Sequence, residues 1–352
     1  MFRRPKALVG LDIGSSAVKA VELKQAGKGF KVTALGSEPV PPDSIVDGAI
    51  IDGASVVDSI KRLFDSRGIK TKDVAASLSG NAVIVKKIAL PTMTPAELSE
   101  SIYWEAEQYI PFDIQDVNLD YQILDAGNPA AGKSTMEVLL VAAKKEKIAD
   151  YTGVIGQAGR TAVVVDVDAF ALQNAYEANY GVEPGAVVVL LNVGASATNL
   201  NILQGDQSVF TRDISIGGNA YTEALQKELN LPYEQADRLK RAEPVDGTSY
   251  DEARPVLRAV TENVMLEVQK TFDFFKASSN FERITRVVVS GGASRAEGFL
   301  DMLAERFEAP VEIFDPFKKV SFDAKKFNVA AETVGPTVAV AVGLALRRAG
   351  DR

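Results

Sequence analysis

The segment Leu11–Leu23 (LDIGSSAVKAVEL) returns later in the chain as Leu191–Leu203 (LNVGASATNLNIL). The copies share Leu11/Leu191, Gly14/Gly194, Ser16/Ser196, Ala17/Ala197 and Leu23/Leu203 at one constant offset. Each reads as an apolar strand, a turn of small residues and a second strand. A Gly/Ser/Ala turn leaves backbone N–H groups open, and such a nest suits an anion. Two nests in one chain imply a duplicated architecture whose halves clamp a polyphosphate between them.

The bulk numbers narrow the chemistry. At 352 residues the chain exceeds one compact core, so more than one domain is expected. A net charge of −8 argues against a nucleic-acid surface and against electrostatic docking on anionic lipid. Arg3, Arg4 and Lys6 are locally basic and read as a solvated end. The chain has neither cysteine nor histidine, so disulfides, thiolate or imidazole metal sites and imidazole bases are excluded. Catalysis has to draw on carboxylates, lysine, amides, backbone and a metal such as Mg²⁺. No run has the length of a signal-peptide core or the roughly 18 apolar residues of a membrane span. The expectation is a cytoplasmic protein without direct membrane insertion.

Along the chain, Ala7–Ile13, Val18–Gln25 and Phe30–Val40 read as a meander, followed by a helix over Ser55–Arg67 and a strand over Val74–Leu78. A segment of different character follows. It has a strand over Val83–Leu90, a helix over Pro95–Tyr109 with a Thr94/Glu97 capping box, and strands over Asn118–Leu124 and Glu137–Ala143 flanking the Gly127–Gly132 loop. A helix over Lys145–Gln157 closes it. This β-α-β-β-α run carries no phosphate motif and reads as an inserted recognition module. Its apolar strip, Ile102, Tyr103, Trp104, Tyr109, Ile110 and Phe112, is either a peptide groove or the module's core; helical spacing favours core for most of it. A strand over Thr161–Val167 and a helix over Ala169–Ala178 lead to the second half. There the strands Ala186–Val193, Thr198–Gln204 and Ser208–Ile214 repeat the meander, and a helix opens at Gly217-Gly218. Helices are expected over Tyr233–Arg241, Pro255–Ser278, Ala296–Phe307 and Pro336–Arg348.

In the first turn Asp12 is placed to hold Mg²⁺ through water, Gly14, Ser15 and Ser16 to take phosphate oxygens, and Lys19 to add a positive charge. In the second, Asn192 stands where the first has Asp12, followed by Gly194, Ala195, Ser196 and Thr198. An asparagine brings no negative charge and cannot act as a base, so metal binding and turnover should both be weak. A third element, VVVSGGASRAEGF (Val287–Phe299), runs a strand into Gly291-Gly292, with Ser294 following; such a turn lets backbone lie against a nucleoside.

These three motifs, in this order, resemble the actin, sugar-kinase and heat-shock-chaperone ATPase superfamily. Within it Ser77–Pro91, Thr94–Phe112 and NVGASATNLNIL resemble the PilM family of type IV pilus assembly proteins, related to FtsA. The chain's stop at Arg352, directly after the last core helix, favours PilM over FtsA, which carries a membrane-targeting helix. The resemblance implies an α/β, actin-like (ribonuclease H-like) duplicated fold with an FtsA-type 1C subdomain in place of actin's 1B. The implied division is 1A at 1–82, 160–184 and about 336–352; 1C at 83–159; 2A at 185–228 and 284–335; 2B at 229–283. The resemblance also implies ATP or ADP with Mg²⁺ as cofactors, Gly217-Gly218 as a connecting element, and Lys240 in a segment bracketing adenine and ribose. It places the polar residue that faces the attacking water near Val165–Asp168, which leaves Asp166 and Asp168 both open, Asp166 being the one taken here. It implies a scaffold with weak or no ATPase activity, binding the N-terminal peptide of inner-membrane PilN beside 1C, and hence peripheral at that membrane. Motor-side pilus proteins are further implied partners. The alternatives are an FtsA- or MreB-like filament-forming ATPase and a small-molecule kinase of the same fold.

Overall fold

A computed structural model describes residues 8–127, 132, 134–278 and 283–351. Arg3, Arg4 and Lys6, and most of the Gly127–Gly132 loop, lie outside the described residues.

The chain opens with β1 (Val9–Ile13), β2 (Ala17–Ala26) and β3 (Gly29–Pro39), a small hairpin β4 (Ile45–Val46) and β5 (Ala49–Ile50), α1 (Gly53–Ser66) and β6 (Asp73–Leu78). Next come β7 (Val83–Pro91), α2 (Pro95–Glu107), β8 (Val117–Asp125), β9 (Thr135–Lys144) and α3 (Lys145–Gln157), then β10 (Thr161–Val167) and α4 (Asp168–Tyr180). The second half holds β11 (Val187–Val193), β12 (Thr198–Gln204), β13 (Gln207–Ile214), α5 (Gly218–Leu229), α6 (Tyr233–Lys240) and α7 (Tyr250–Ser278). It closes with β14 (Arg286–Ser290), α8 (Phe299–Phe307), β15 (Val311–Ile313), α9 (Ala324–Phe327) and α10 (Ala331–Ala345).

The duplication read from the motifs extends to the sheets. One runs β3-β2-β1-β6-β10 and the other β13-β12-β11-β14-β15. In both, the first three strands are antiparallel and the last two join in parallel. The register matches too: Asp12 pairs with Lys19 across β1/β2, and Asn192 with Asn199 across β11/β12.

Between the sheets lie α4 and α10. Leu172, Ala175, Val338, Ala341 and Val342 share one core with Val21 and Leu23 of the first sheet and Val188, Leu190 and Val288 of the second. Two glycines let this layer close. A Cβ on Gly343 would lie 1.6 Å from the Ala171 carbonyl oxygen on α4, and one on Gly10 would lie 2.0 Å from that of Ala341 on α10.

The third sheet, β7-β9-β8, packs one face on α2 around Ile88, Leu90, Leu98, Ile102, Met136, Val138 and Leu140. The Thr94/Glu97 capping box forms as expected. Of the apolar strip, Ile102 and Ile110 are core and Tyr109 and Phe112 half-buried, whereas Tyr103 and Trp104 are 50% and 79% exposed.

Three helix boundaries differ from the sequence reading. α7 starts at Tyr250, five residues before Pro255, because Ser249 and Glu252 make a capping box: Ser249 N–H donates to Glu252 (2.7 Å) and Glu252 N–H to Ser249 Oγ (3.3 Å). α10 likewise starts at Ala331 and carries Pro336 inside. The expected Ala296–Phe307 helix is a short 3₁₀ turn, Gly292–Arg295, followed by α8, since Gly298 at φ +74° breaks the run.

Candidate functional site

The two repeated turns meet. Ser15 Oγ donates to Ser196 Oγ at 3.0 Å across the line between the halves. Each turn is closed identically, Gly14 N–H on the Ala17 carbonyl (3.2 Å) and Gly194 N–H on the Ala197 carbonyl (2.9 Å). Among the described residues the N–H groups of Ser15, Ser16, Ala195 and Ser196 take no acceptor, which leaves them open to a ligand. Both turns line a cleft of about 560 Å³, a volume suited to a nucleotide.

The cleft brings together Asp12, Gly14, Ser15, Ser16, Lys19, Asn192, Gly194, Ala195, Ser196, Gly218, Lys240, Gly291 and Gly292. Lys19 Nζ donates to Asp12 Oδ2 at 2.9 Å, and the equivalent positions of the second turn form an amide pair, Asn192 Nδ2 to Asn199 Oδ1 at 3.0 Å. The second half thus copies the geometry of the first without its charges. Lys240 arrives on α6, its ammonium held by Asp237 (2.7 Å) and Thr222 (2.7 Å).

Four sequence-predicted residues do not line the cleft. Thr198 is fully buried and donates to the Ile216 carbonyl (2.7 Å). Ser294 is buried and braces its own turn by donating to the Gly291 carbonyl (2.7 Å). Gly217 supports the second turn from behind: a Cβ there would lie 2.6 Å from the Gly194 carbonyl oxygen. That carbonyl and the next accept the first N–H groups of α5, from Gly218 (2.9 Å) and Asn219 (2.7 Å), so the helix start is spent on the protein. Gly291 lines the cleft, yet its φ of +89° and the Val193 backbone 2.2 Å from a would-be Cβ also demand glycine for close approach, whereas Gly292 faces open space.

Asp166 is the fourth, and its placement corrects the expectation. Its carboxylate is buried against the segment that follows α10, 3.4 Å from Arg347 Nη1, with one oxygen accepting from Val167 N–H (2.8 Å). Of the two neighbouring aspartates it is Asp168, the first residue of α4, that lines the cleft, held by Ser77 Oγ at 2.5 Å. Burial first, then the charge of Asp12, pushes its pKa up to about 6. Such a carboxyl is poised near neutrality, as a general base or a cation partner requires. Folded Asp168 therefore holds its proton more tightly than the unfolded chain, and stability falls as pH rises between about 4 and about 6. Replacing it by asparagine is expected to raise the ligand-free stability near pH 7.5 by about 2 kcal/mol and to flatten that pH slope. Thermal melts across this range check it; an unaltered slope in D168N would place the titrating group elsewhere.

Behind the cleft, further groups join it to the three-stranded unit. Asn199 Nδ2 donates to Asp213 Oδ1 (2.7 Å), and the other oxygen of Asp213 accepts from the N–H of Gly80, just before β7. Lys147 on α3 is buried, donates to the Ser79 carbonyl and lies within electrostatic reach of Asp168 and Asp213. Sequence reasoning missed Asn199, although it occupies Lys19's place in the repeat. It had no signal for Ser79, Tyr151 or Asp213, which only the fold brings there.

The residues fit a magnesium nucleotide. Among the described residues no cluster of three or more carboxylates exists that would cage a metal by itself. Mg²⁺ keeps most of its waters and uses one or two carboxylates with phosphates, which matches Asp12 and Asp168 beside the open N–H groups.

Comparison with known proteins agrees with this architecture. The sequence profile of the type IV pilus assembly protein PilM family matches residues 10–349. A solved PilM-PilN type IV pilus biogenesis complex contains a chain 31% identical, with TM-score 0.85 over 98% of this chain and 99% of that one. The cell division protein FtsA of Enterococcus faecalis is 23% identical, aligned over 88% of this chain and 78% of FtsA. MreB5 of Spiroplasma citri bound to ADP shares the fold at 13% identity, with TM-score 0.53 over 96% of this chain and 94% of MreB5. With the duplicated sheets, the facing turns and this match over nearly its whole length, the chain has an actin-like fold and belongs to the PilM family of type IV pilus assembly proteins.

Proposed function

We propose that this chain is an ATP-binding scaffold of the type IV pilus machine. In this reading it holds ATP or ADP with Mg²⁺ between its two turns and binds the N-terminal peptide of inner-membrane PilN on the unit formed by residues 83–159. It stays cytoplasmic, is held at the membrane through that partner, and links it to motor-side proteins. The matched complex contains both a PilM and a PilN, which supports the choice of partner. The exposed Tyr103 and Trp104 on α2 offer apolar anchors on that unit.

Bound Mg²⁺ neutralises phosphate charge; the chain's own residues orient it. Asp12 would receive the hydrated metal, Lys19 and the open N–H groups would take phosphate oxygens, and Asp168, at the cleft, would orient an attacking water. The amides Asn192 and Asn199 supply no charge on the other side, so turnover is slow or absent.

The observation that carries the scaffold reading is the hydrogen-bonded run Asn192–Asn199–Asp213–Gly80, from the second turn to the strand opening the partner unit. It supports a ligand-biased equilibrium in which nucleotide sets the position of that unit. The test is a calorimetric titration of a PilN N-terminal peptide into the protein with Mg-ATP and without nucleotide. Micromolar binding with several-fold dependence on nucleotide is expected, and no binding in either state removes the reading. In D213N the peptide should still bind, with the nucleotide dependence reduced to less than about 2-fold. Retention of the full difference would show that this run does not carry the coupling.

A further inference from the structure

The chain's negative charge is not evenly spread. Residues 24–33 and 315–328 carry seven lysines, two aspartates and no arginine, a local charge of +5, while the rest of the chain carries −13. These segments are distant in sequence and joined in the fold. Ser321 N–H donates to the Phe30 carbonyl (2.8 Å), Val32 N–H to the Ser321 carbonyl (3.0 Å), and Lys326 Nζ to the Thr33 carbonyl (2.6 Å). The loop before and through α9 thus runs along the outer edge of β3 and extends the lysines of the β2–β3 hairpin into one strip.

All seven, Lys24, Lys28, Lys31, Lys318, Lys319, Lys325 and Lys326, are exposed. Lys24 and Lys31 stand directly opposite one another in the antiparallel β2/β3 pair, an arrangement that like charges disfavour. The Lys318 ammonium lies 4.2 Å from the centre of the Tyr180 ring, and the residue as a whole stays exposed. Among the described residues none of the seven pairs with a carboxylate within salt-bridge distance. The two aspartates of the strip are engaged by backbone: Asp315 accepts from Phe317 N–H (2.9 Å) and Asp323 from Lys326 N–H (3.1 Å).

We propose that this strip docks on the surface of an anionic phospholipid bilayer. Its chemistry separates a bilayer from an acidic protein partner. Protein interfaces are anchored by aromatic residues and arginine and are depleted in lysine. The strip has no arginine, and the exposed large apolar side chains among the described residues all lie elsewhere. Lysine is a compact hydrated point charge on a flexible stem, suited to a diffuse field of lipid phosphates rather than to bidentate recognition. Each lysine near such a surface strengthens partition about 5-fold, and the attraction decays within a Debye length. The contact is peripheral and inserts nothing, in keeping with the absence, among the described residues, of a helix long and apolar enough to cross a membrane. It uses neither the nucleotide cleft nor the 83–159 unit.

The test is flotation of the full chain with vesicles of phosphatidylcholine alone or with about 30% phosphatidylglycerol, in about 0.1 M salt. The protein is expected to float with the anionic vesicles only, and to be released in about 0.5 M salt. Replacing Lys24, Lys28 and Lys31 together by glutamine should weaken that binding about 100-fold with an unchanged melting temperature. The same change at the exposed Lys61, Lys227 and Lys276, outside the strip, should leave it intact. Failure to float with anionic vesicles overturns the proposal, as does equal loss in both triple variants. Capture by soluble polyglutamate without flotation also overturns it, and assigns the strip to an acidic protein instead.

Discussion

Valine at position 343 is expected to leave the protein unable to hold its two halves together. Gly343 lies where α10 crosses α4, and a Cβ there would sit 1.6 Å from the carbonyl oxygen of Ala171 and 2.5 Å from its carbon. Those are backbone atoms, so no rotamer change relieves the overlap; the helices must separate along their length. The residues that then lose contact include Leu172, Ala175, Val338 and Val342, all essentially buried in the core shared by both sheets. Overpacking by a methylene or two already costs about 1–3 kcal/mol, and here rigid backbone opposes it. The expected loss exceeds about 3 kcal/mol, a large share of the roughly 5–15 kcal/mol a domain possesses. Denaturant unfolding of G343V, with G343A as the milder step, measures it. A variant with wild-type stability would show that the α4–α10 crossing is not the joint described above.

The second large effect is on nucleotide. Asp12→Ala removes the carboxylate proposed to receive the hydrated metal and leaves Lys19 without its 2.9 Å partner. Interactions with charged groups are worth about 1.5–3 kcal/mol each, so Mg-ATP affinity should fall about 100-fold. The same titration without Mg²⁺ should change much less, because phosphate contacts to the N–H groups remain. Asn192→Ala, which removes only neutral hydrogen bonds, should weaken affinity no more than about 10-fold. If D12A bound Mg-ATP as the wild type does, the site would lie elsewhere.

The parts of this molecule that could be read in advance are those governed by local periodicity. The leading strand of each meander is a short, mostly apolar run ending at a glycine turn, so both strands and site turns stood out together. The register followed, since Asp12/Lys19 and Asn192/Asn199 sit at the same spacing around the same turn. What could not be read depends on contacts between distant segments. Asp166 and Asp168 share a parity in sequence and would face one way in a continuous strand. The strand ends at Val167, however, and Asp168 opens α4, which turns its carboxylate into the cleft while that of Asp166 stays against Arg347. The exposure of Trp104 was equally hidden: helical spacing told which residues share a face, but α2 covers only one side of a three-stranded sheet and buries Ile102, not its neighbours. The lysine strip was masked by a net charge of −8, an average over segments that the fold then segregates.

The paired amides of the second turn carry a last implication. Asn192 and Asn199 exchange a hydrogen bond that no proton can titrate and no dissolved salt can screen appreciably, and Ser290 Oγ steadies the first of them at 3.1 Å. The ion pair facing them, Lys19 on Asp12, is open to screening by salt. One lip of the cleft is therefore a fixed abutment and the other a responsive one, so changes in ionic conditions act asymmetrically on the clamp. A machine part that must keep its shape while its surroundings fluctuate gains from having only one edge that can be swayed.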